Sequence, residues 1–177
     1  MSRARASRAS HTRETSMKSK PLRSLLAGIA LLLVSQAASA QIALQIERTT
    51  SGSVVIGANA IFDSIIFSAG NVSYNPATGV ITFNQAGRFI INWWVAYQLI
   101  DNANTTAVLA ISSSQGDFLE GNSVSPSGQV VGMGIVEVAA APVTISLVNA
   151  SAGTLHYAGS APLKATLILT EQSPPAP

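Results

Sequence analysis

The segment GRFIINWWVAYQL, residues 87 to 99, decides the fold class because it reads as one long β-strand with two apolar faces. Strand side chains alternate between the two faces of a sheet. One face is entirely apolar or aromatic, with Phe89, Ile91, Trp93, Val95, Tyr97 and Leu99. The other face is half apolar, with Ile90, Asn92, Trp94, Ala96 and Gln98. A sheet surface that meets water normally shows polar side chains. The second face therefore predicts a partner, inside the chain or outside it.

Short strand-like segments surround this central segment at spacings of about 8 to 12 residues, which favours a sandwich or jelly roll. Turn residues punctuate them, as in PATG at 76–79, where Pro76 and Gly79 suit the ends of a tight turn. Beyond residue 40, no sustained apolar pattern of helical period occurs. In QVVGMGIVEV, residues 129–138, Gly132 and Gly134 share one face, as where a neighbour packs closely. The pattern predicts an all-β domain.

The first 40 residues read as a targeting segment. Basic residues at 18–23 precede an unbroken apolar run at 25–34, and Ala38 and Ala40 form a cleavage signal. The apolar run is too short to span a bilayer as a helix, which needs about 20 residues. We predict a signal peptide at 1–40, with translation starting at Met17 as an option. A domain at 41–172 and a Pro-rich tail at 173–177 follow.

Removal of the leader reverses the charge of the chain. From residue 41 onwards, three basic minus seven acidic residues give a net charge of −4, so the pI of 9.3 describes the leader. No basic patch remains to neutralise phosphates, which argues against nucleic-acid binding. Only ten of the residues from 41 to 177 are charged, which is about 7% of them, whereas an average soluble domain has roughly 25%. This low charge predicts that part of the surface is covered. The chain has no cysteine, so it has no disulfide or thiolate site.

The stretch IFDSIIFSAGNVSYNPATGVITFNQAGRFIINWW, residues 61 to 94, resembles the first half of the complement C1q and tumour-necrosis-factor-like (TNF-like) jelly roll. The positions that carry the resemblance are Phe62, Asp63, Tyr74, Thr78, Gly79, Ile81, Phe83, Gly87 and Phe89. The sequence is most similar to the bacterial branch exemplified by the C-terminal domain of the exosporium glycoprotein BclA, a collagen-like surface protein. Later segments fit that branch in order, so the resemblance covers roughly residues 42 to 171.

The resemblance implies a jelly-roll sandwich of about ten antiparallel strands that assembles as a homotrimer about a threefold axis. In such a trimer, one face of the central strand fills the sandwich and the other faces neighbouring subunits. The candidate residues for the trimer interface or core are Ile90, Asn92, Trp93, Trp94, Ala96 and Gln98. The sequence leaves open which face is core and which is interface.

Catalytic and metal-binding patterns are scarce after residue 40. His156 is the one histidine there, and a lone histidine beside Tyr157 on a strand is more typical of packing than of catalysis. Asp117 and Glu120 are weak candidates for calcium, which favours oxygen ligands, but a solvated loop is the simpler interpretation. Asp63 is expected to fix a turn. We predict no enzyme activity, no cofactor and no metal.

Two functions fit these observations. The first is a secreted, non-enzymatic, homotrimeric binding or structural module, located outside the cell, at its surface or in the periplasm. Its loops would recognise an unidentified surface, glycan or protein, and the candidate loop residues are Asn102, Asn104, Asp117 and Glu120. The alternative is a lectin-like jelly roll that binds carbohydrate through an exposed aromatic such as Trp94 or Tyr157, with calcium as an optional helper.

Overall fold

A computed structural model of the chain describes residues 41–101 and 106–172 as a sandwich of two antiparallel sheets. The predicted signal peptide, the predicted tail and the loop residues Asn102 and Asn104 lie outside the described residues. No described residue is helical, and the described part holds no helix long and apolar enough to cross a membrane. The prediction of an all-β jelly roll is confirmed.

Twelve strands follow one another in the described residues, two more than the roughly ten predicted. The additional elements are short: β2 has two residues and β11 has three. The strands are β1 (Ala43–Arg48), β2 (Ser53–Val54), β3 (Ser64–Ala69), β4 (Val72–Asn75), β5 (Val80–Phe83), β6 (Gly87–Ile100), β7 (Ala107–Ser113), β8 (Phe118–Ser123), β9 (Gly128–Val138), β10 (Val143–Asn149), β11 (Leu155–Tyr157) and β12 (Ala165–Glu171).

Strand β6 organises the first sheet because its 14 residues are long enough to pair with three others. Along one edge it pairs with β12 and then β11, and along its other edge it pairs with β9. The first sheet therefore runs β2-β11-β6-β12-β1-β3, with β9 added beside β6. The second sheet runs β4-β5-β10-β7-β8.

The core lies between the two sheets and takes the fully apolar face of β6. The buried side chains of this face are Phe89, Ile91, Trp93, Val95 and Tyr97. Phe89 stacks on Phe83 of the second sheet with ring centroids 4.2 Å apart. Burial of each such large apolar side chain contributes about 1.5–3 kcal/mol to folding. The core face of the central strand, which the sequence left open, is therefore the face with the odd-numbered residues.

Glycines let β8 and β9 approach each other and close one side of the sandwich. A Cβ placed on Gly132 would lie 2.1 Å from Cζ2 of Trp93, so the indole ring fills the space of the missing side chain. A Cβ on Gly121 of β8 would lie 2.5 Å from the carbonyl oxygen of Val131. Gly134 meets Leu119 of β8 in the same way, at 2.5 Å. The expectation of close packing at Gly132 and Gly134 is confirmed.

Asp63 fixes the turn after β1, as expected from the sequence. Its carboxylate accepts hydrogen bonds from the backbone N–H of Thr50 at 2.9 Å and of Thr49 at 3.1 Å. The Thr50 hydroxyl donates a third at 2.7 Å. Desolvation alone would raise the pKa of Asp63, but the hydrogen bonds from Thr50, Thr49 and Ser64 outweigh it and lower the pKa to about 2.

We expect acid to weaken the protein partly through Asp63. A carboxyl whose pKa is lower in the folded than in the unfolded state stabilises the fold above the unfolded value of 3.8, and this contribution is lost as the pH falls towards about 2. The free energy of unfolding, measured with urea at pH 5 and at pH 2.5, should fall less in Asp63→Asn than in the wild type. Equal falls in the two proteins would contradict this role.

Candidate functional site

The first sheet has an outer face, opposite the core, on which side chains from five strands line up in three rows. Residues paired in register point to the same side of a sheet. The central row holds Met133, Asn92, Ile168, Gln45 and Phe67. One flanking row holds Ile135, Ile90, Thr170, Ala43 and Ala69, and the other holds Val131, Trp94, Thr166, Glu47 and Ser64. These three rows are called the outer face below.

The outer face is mainly apolar and nearly free of charge, and its most exposed apolar side chains come from β9. The exposed fractions are 62% for Val131, 71% for Met133 and 55% for Ile135, all from β9. A shallow groove of about 520 Å³ crosses the centre of the face and is lined by Asn92, Trp94, Met133, Thr166 and Ile168 among others. Glu47 is the one charged residue in the three rows. Contiguous exposed apolar surface of this kind is typical of interaction sites.

The central-strand candidates from the sequence divide between the two faces. Trp93 is 2% exposed and belongs to the core, whereas Trp94 is half-buried beside the groove. Ile90, Asn92 and Trp94 lie in the rows of the outer face. Ala96 and Gln98 continue the same side of β6. Ala96 is buried, and Gln98 accepts a hydrogen bond from the N–H of Gly159 at 2.8 Å.

The candidate loop residues lie in three different settings. Asn102 and Asn104 are outside the described residues. The carboxylate of Asp117 accepts hydrogen bonds from Ser113 Oγ at 2.6 Å and Gln115 Nε2 at 2.7 Å within its own turn. Glu120 is in strand β8, not in a loop, because this segment pairs with β7 in register with Ala110. In residues 41–101 and 106–172 no three His, Asp or Glu side chains gather closely enough to hold a metal ion.

The strand β11 carries the two remaining sequence candidates. His156 Nε2 lies 3.1 Å from Oδ1 of Asp101 in a partly exposed pair. The expectation that Tyr157 is an exposed aromatic is wrong, because its ring is 2% exposed. The guanidinium of Arg48 lies 4.4 Å above that ring. Burial raises the pKa of Tyr157 to about 12, so its hydroxyl stays protonated.

Sequence reasoning missed the largest part of the outer face, which comes from β9. This strand alternates large apolar residues with glycines, in the order Val131, Gly132, Met133, Gly134, Ile135. Only the glycines were interpreted, and the apolar residues between them were not. Residues 61–67 were predicted as a strand, but the exposure of its apolar side chains was missed: Ile65, Ile66 and Phe67 on the edge strand β3 are each more than half exposed. A period-of-two scan for large apolar residues opposite the glycines would have found the β9 residues.

Two antiparallel sheets in this strand order define the jelly-roll fold of complement C1q and TNF domains. The globular domain of zebrafish complement 1qA matches with a TM-score of 0.54 and 13% identity, over 75% of this chain and 98% of that one. Murine APRIL matches with a TM-score of 0.53 and 9% identity, over 75% and 99%. Eiger TNF from S. frugiperda matches with a TM-score of 0.52 and 15% identity, over 77% and 98%.

These likenesses establish the fold alone, because all three sequence identities are low. No family model matches the chain, and no curated protein matches it either. The resemblance to C1q and TNF-like domains is thus confirmed for the architecture. The finer resemblance to the BclA branch stays a prediction.

Proposed function

We propose that this chain is a secreted, non-enzymatic, homotrimeric binding or structural module whose copies join through the outer face. The observation that carries the proposal is the exposure of Val131, Met133 and Ile135 next to the groove, on a face with one charged residue. Exposure of such a face to water costs free energy, and burial against another protein surface removes that cost. The trimeric state is what the resemblance to C1q and TNF-like domains implies.

The size of the outer face suits a protein interface. Five strands about 4.8 Å apart and three rows about 7 Å apart cover roughly 500 Å². A standard interface buries about 800 Å² on each partner, so the outer face can supply more than half of one. A ring of three copies uses two different surfaces on each copy, so every copy takes part in two contacts.

The binding role would fall to the loops at the ends of the sandwich, which an assembled trimer presents three times. A rigid scaffold that displays variable loops is a common arrangement for recognition. Location outside the cell rests on the signal peptide predicted for residues 1–40. Absence of catalysis rests on the sequence, which has a single histidine after residue 40. The ligand is a surface, a glycan or a protein.

The oligomeric state tests this proposal directly. The full chain is expressed in a bacterial host that can process its leader, and the mass of the purified product is measured by light scattering after size exclusion. We expect three times the mass of the chain that intact mass spectrometry gives. A mass equal to one chain at micromolar concentration would overturn the proposal.

A carbohydrate-binding lectin is the second candidate function, and the groove is the observation that favours it. Trp94 is half-buried beside the amide side chains of Asn92 and Gln129, a combination of aromatic surface and hydrogen-bonding groups that suits a sugar. The two functions compete for the same surface, because copies that join through the outer face cover the groove. Glycan binding by a single-chain protein that Trp94→Ala abolishes would favour the lectin.

A further inference from the structure

Met133 holds the only sulfur atom of the domain. The chain has three methionines, at positions 1, 17 and 133, and no cysteine. The first two lie in the predicted signal peptide, so every sulfur-directed reaction of residues 41–177 falls on Met133. The methionine thioether is a common target of oxidants, which convert it to the sulfoxide. Met133 is therefore the residue of the domain at which peroxide chemistry concentrates.

Met133 is open to solvent in the single chain. Its exposed fraction is 71%, and it lines the shallow groove of the outer face. Its neighbours on the same face of β9, Val131 and Ile135, are both more than half exposed. Hydrogen peroxide is only slightly larger than a water molecule, so it reaches this side chain without any local opening of the fold.

The packing of β9 holds Met133 on the outer face. Gly132 and Gly134, on either side of it, point to the opposite face of the strand, where Trp93 and Leu119 fill the space of the missing side chains. A one-residue slip of a strand moves all its side chains to the other face. On that face a Cβ would lie 2.1 Å from Trp93 at position 132 or 2.5 Å from Leu119 at position 134. Met133 therefore cannot withdraw its thioether into the core.

Oxidation changes the polarity of this side chain at the centre of an apolar surface. Hydrogen peroxide transfers one oxygen atom to the sulfur: an S–O bond forms, the O–O bond breaks, the sulfur is oxidised by two electrons and the second oxygen leaves as water. The product is a polar sulfoxide. In the single chain water solvates it, so the fold is not affected. In an assembly the sulfoxide is removed from water beside Val131 and Ile135, and burial of a polar group without a partner costs free energy.

We propose that Met133 is an oxidation site that controls assembly. Peroxide converts its thioether to the sulfoxide in the single chain, and the sulfoxide keeps the outer face from joining another copy. Assembly covers Met133, so the trimer protects its own contact from the oxidant. The change is reversible, because methionine sulfoxide reductases return the sulfoxide to the thioether. This inference rests on the proposed homotrimer and on the outer face as its contact.

Peroxide treatment of single chains tests the proposal. The purified product of the full chain is diluted below the dissociation constant of the trimer, treated with hydrogen peroxide and quenched with catalase. Intact mass spectrometry should show the gain of one oxygen atom, and peptide mapping should place it on Met133. After the protein is concentrated again, light scattering should show a dissociation constant raised about tenfold or more, because the buried sulfoxide lacks a partner. Treatment with methionine sulfoxide reductases should restore the original value.

Protection by assembly is the second measurement. Well above the dissociation constant, the same peroxide dose should oxidise Met133 about tenfold more slowly, because only the small population of single chains presents the side chain. Circular dichroism should show the same thermal unfolding for oxidised and untreated single chains, which separates the effect on assembly from an effect on the fold.

Met133→Leu is the matched control, because it removes the sulfur and keeps an apolar side chain of similar volume. Whatever its own dissociation constant, peroxide should leave that constant unchanged. A treated Met133→Leu protein that dissociates would trace the effect to another residue and overturn the proposal. Complete oxidation of Met133 with an unchanged dissociation constant, or equal oxidation rates above and below that constant, would overturn it and leave the homotrimer standing. A wild type that is a single chain before any peroxide is added would overturn both proposals.

Discussion

Met133→Glu is expected to convert the assembled protein into single chains. Met133 is the most exposed of the large apolar residues of the outer face, at 71%, and stands in its central row beside Asn92. A carboxylate there would be buried without a partner on assembly. Such a change at the centre of an interface costs about 2–4 kcal/mol, which raises the dissociation constant roughly 30- to 1,000-fold. Light scattering at micromolar concentration should show the mass of one chain.

A control variant separates this effect from a general effect of added charge. Ile56 follows β2, lies outside the outer face and is 60% exposed, so Ile56→Glu adds the same charge to a comparably exposed apolar position. We expect its mass to equal that of the wild type. Thermal unfolding followed by circular dichroism should show that both variants are folded. If both assemble like the wild type, or if both dissociate, the outer face is not the specific contact.

The fold could be predicted from the sequence because the decisive pattern is local. Alternation in residues 87–99 shows one fully apolar face, and Pro76 and Gly79 mark a tight turn, without any knowledge of the neighbouring strands. The choice of core face could not be predicted, because both faces are rich in apolar residues. It depends on contacts with other strands, such as the stacking of Phe89 on Phe83 and the packing of Trp93 against Gly132.

The site was harder to predict than the fold because it is shared among strands far apart in sequence. Met133 and Phe67 stand at the two ends of one row, and they share it only because β6, β12 and β1 lie between their strands. Glu120 was assigned to a loop because the glycines and serines around it are typical of loops. Its pairing with β7 overrides that local preference.

Gly132→Ala is expected to lower the free energy of unfolding by about 3 kcal/mol, the upper part of the range for overpacked cores. The new methyl group would lie 2.1 Å from Cζ2 and 2.4 Å from Cε2 of Trp93. The indole ring is rigid and 2% exposed, so it cannot rotate out of the way as a flexible side chain would. Alanine is otherwise favoured over glycine in a strand by up to about 1 kcal/mol. A large loss of stability can therefore be assigned to the steric clash between the new methyl group and Trp93.

Trp93→Leu provides the test of that cause. Alone it should destabilise the protein by about 3 kcal/mol, because it leaves a cavity against β9. In Gly132→Ala/Trp93→Leu the methyl group occupies part of that cavity, so the double variant should be more stable than the sum of the single effects predicts, by at least about 1 kcal/mol. Val55→Ala, at an exposed position outside the outer face, should change stability by less than about 0.5 kcal/mol. Urea unfolding of all four variants measures these differences. Strictly additive losses would show that the cost of Gly132→Ala does not come from contact with the indole ring of Trp93.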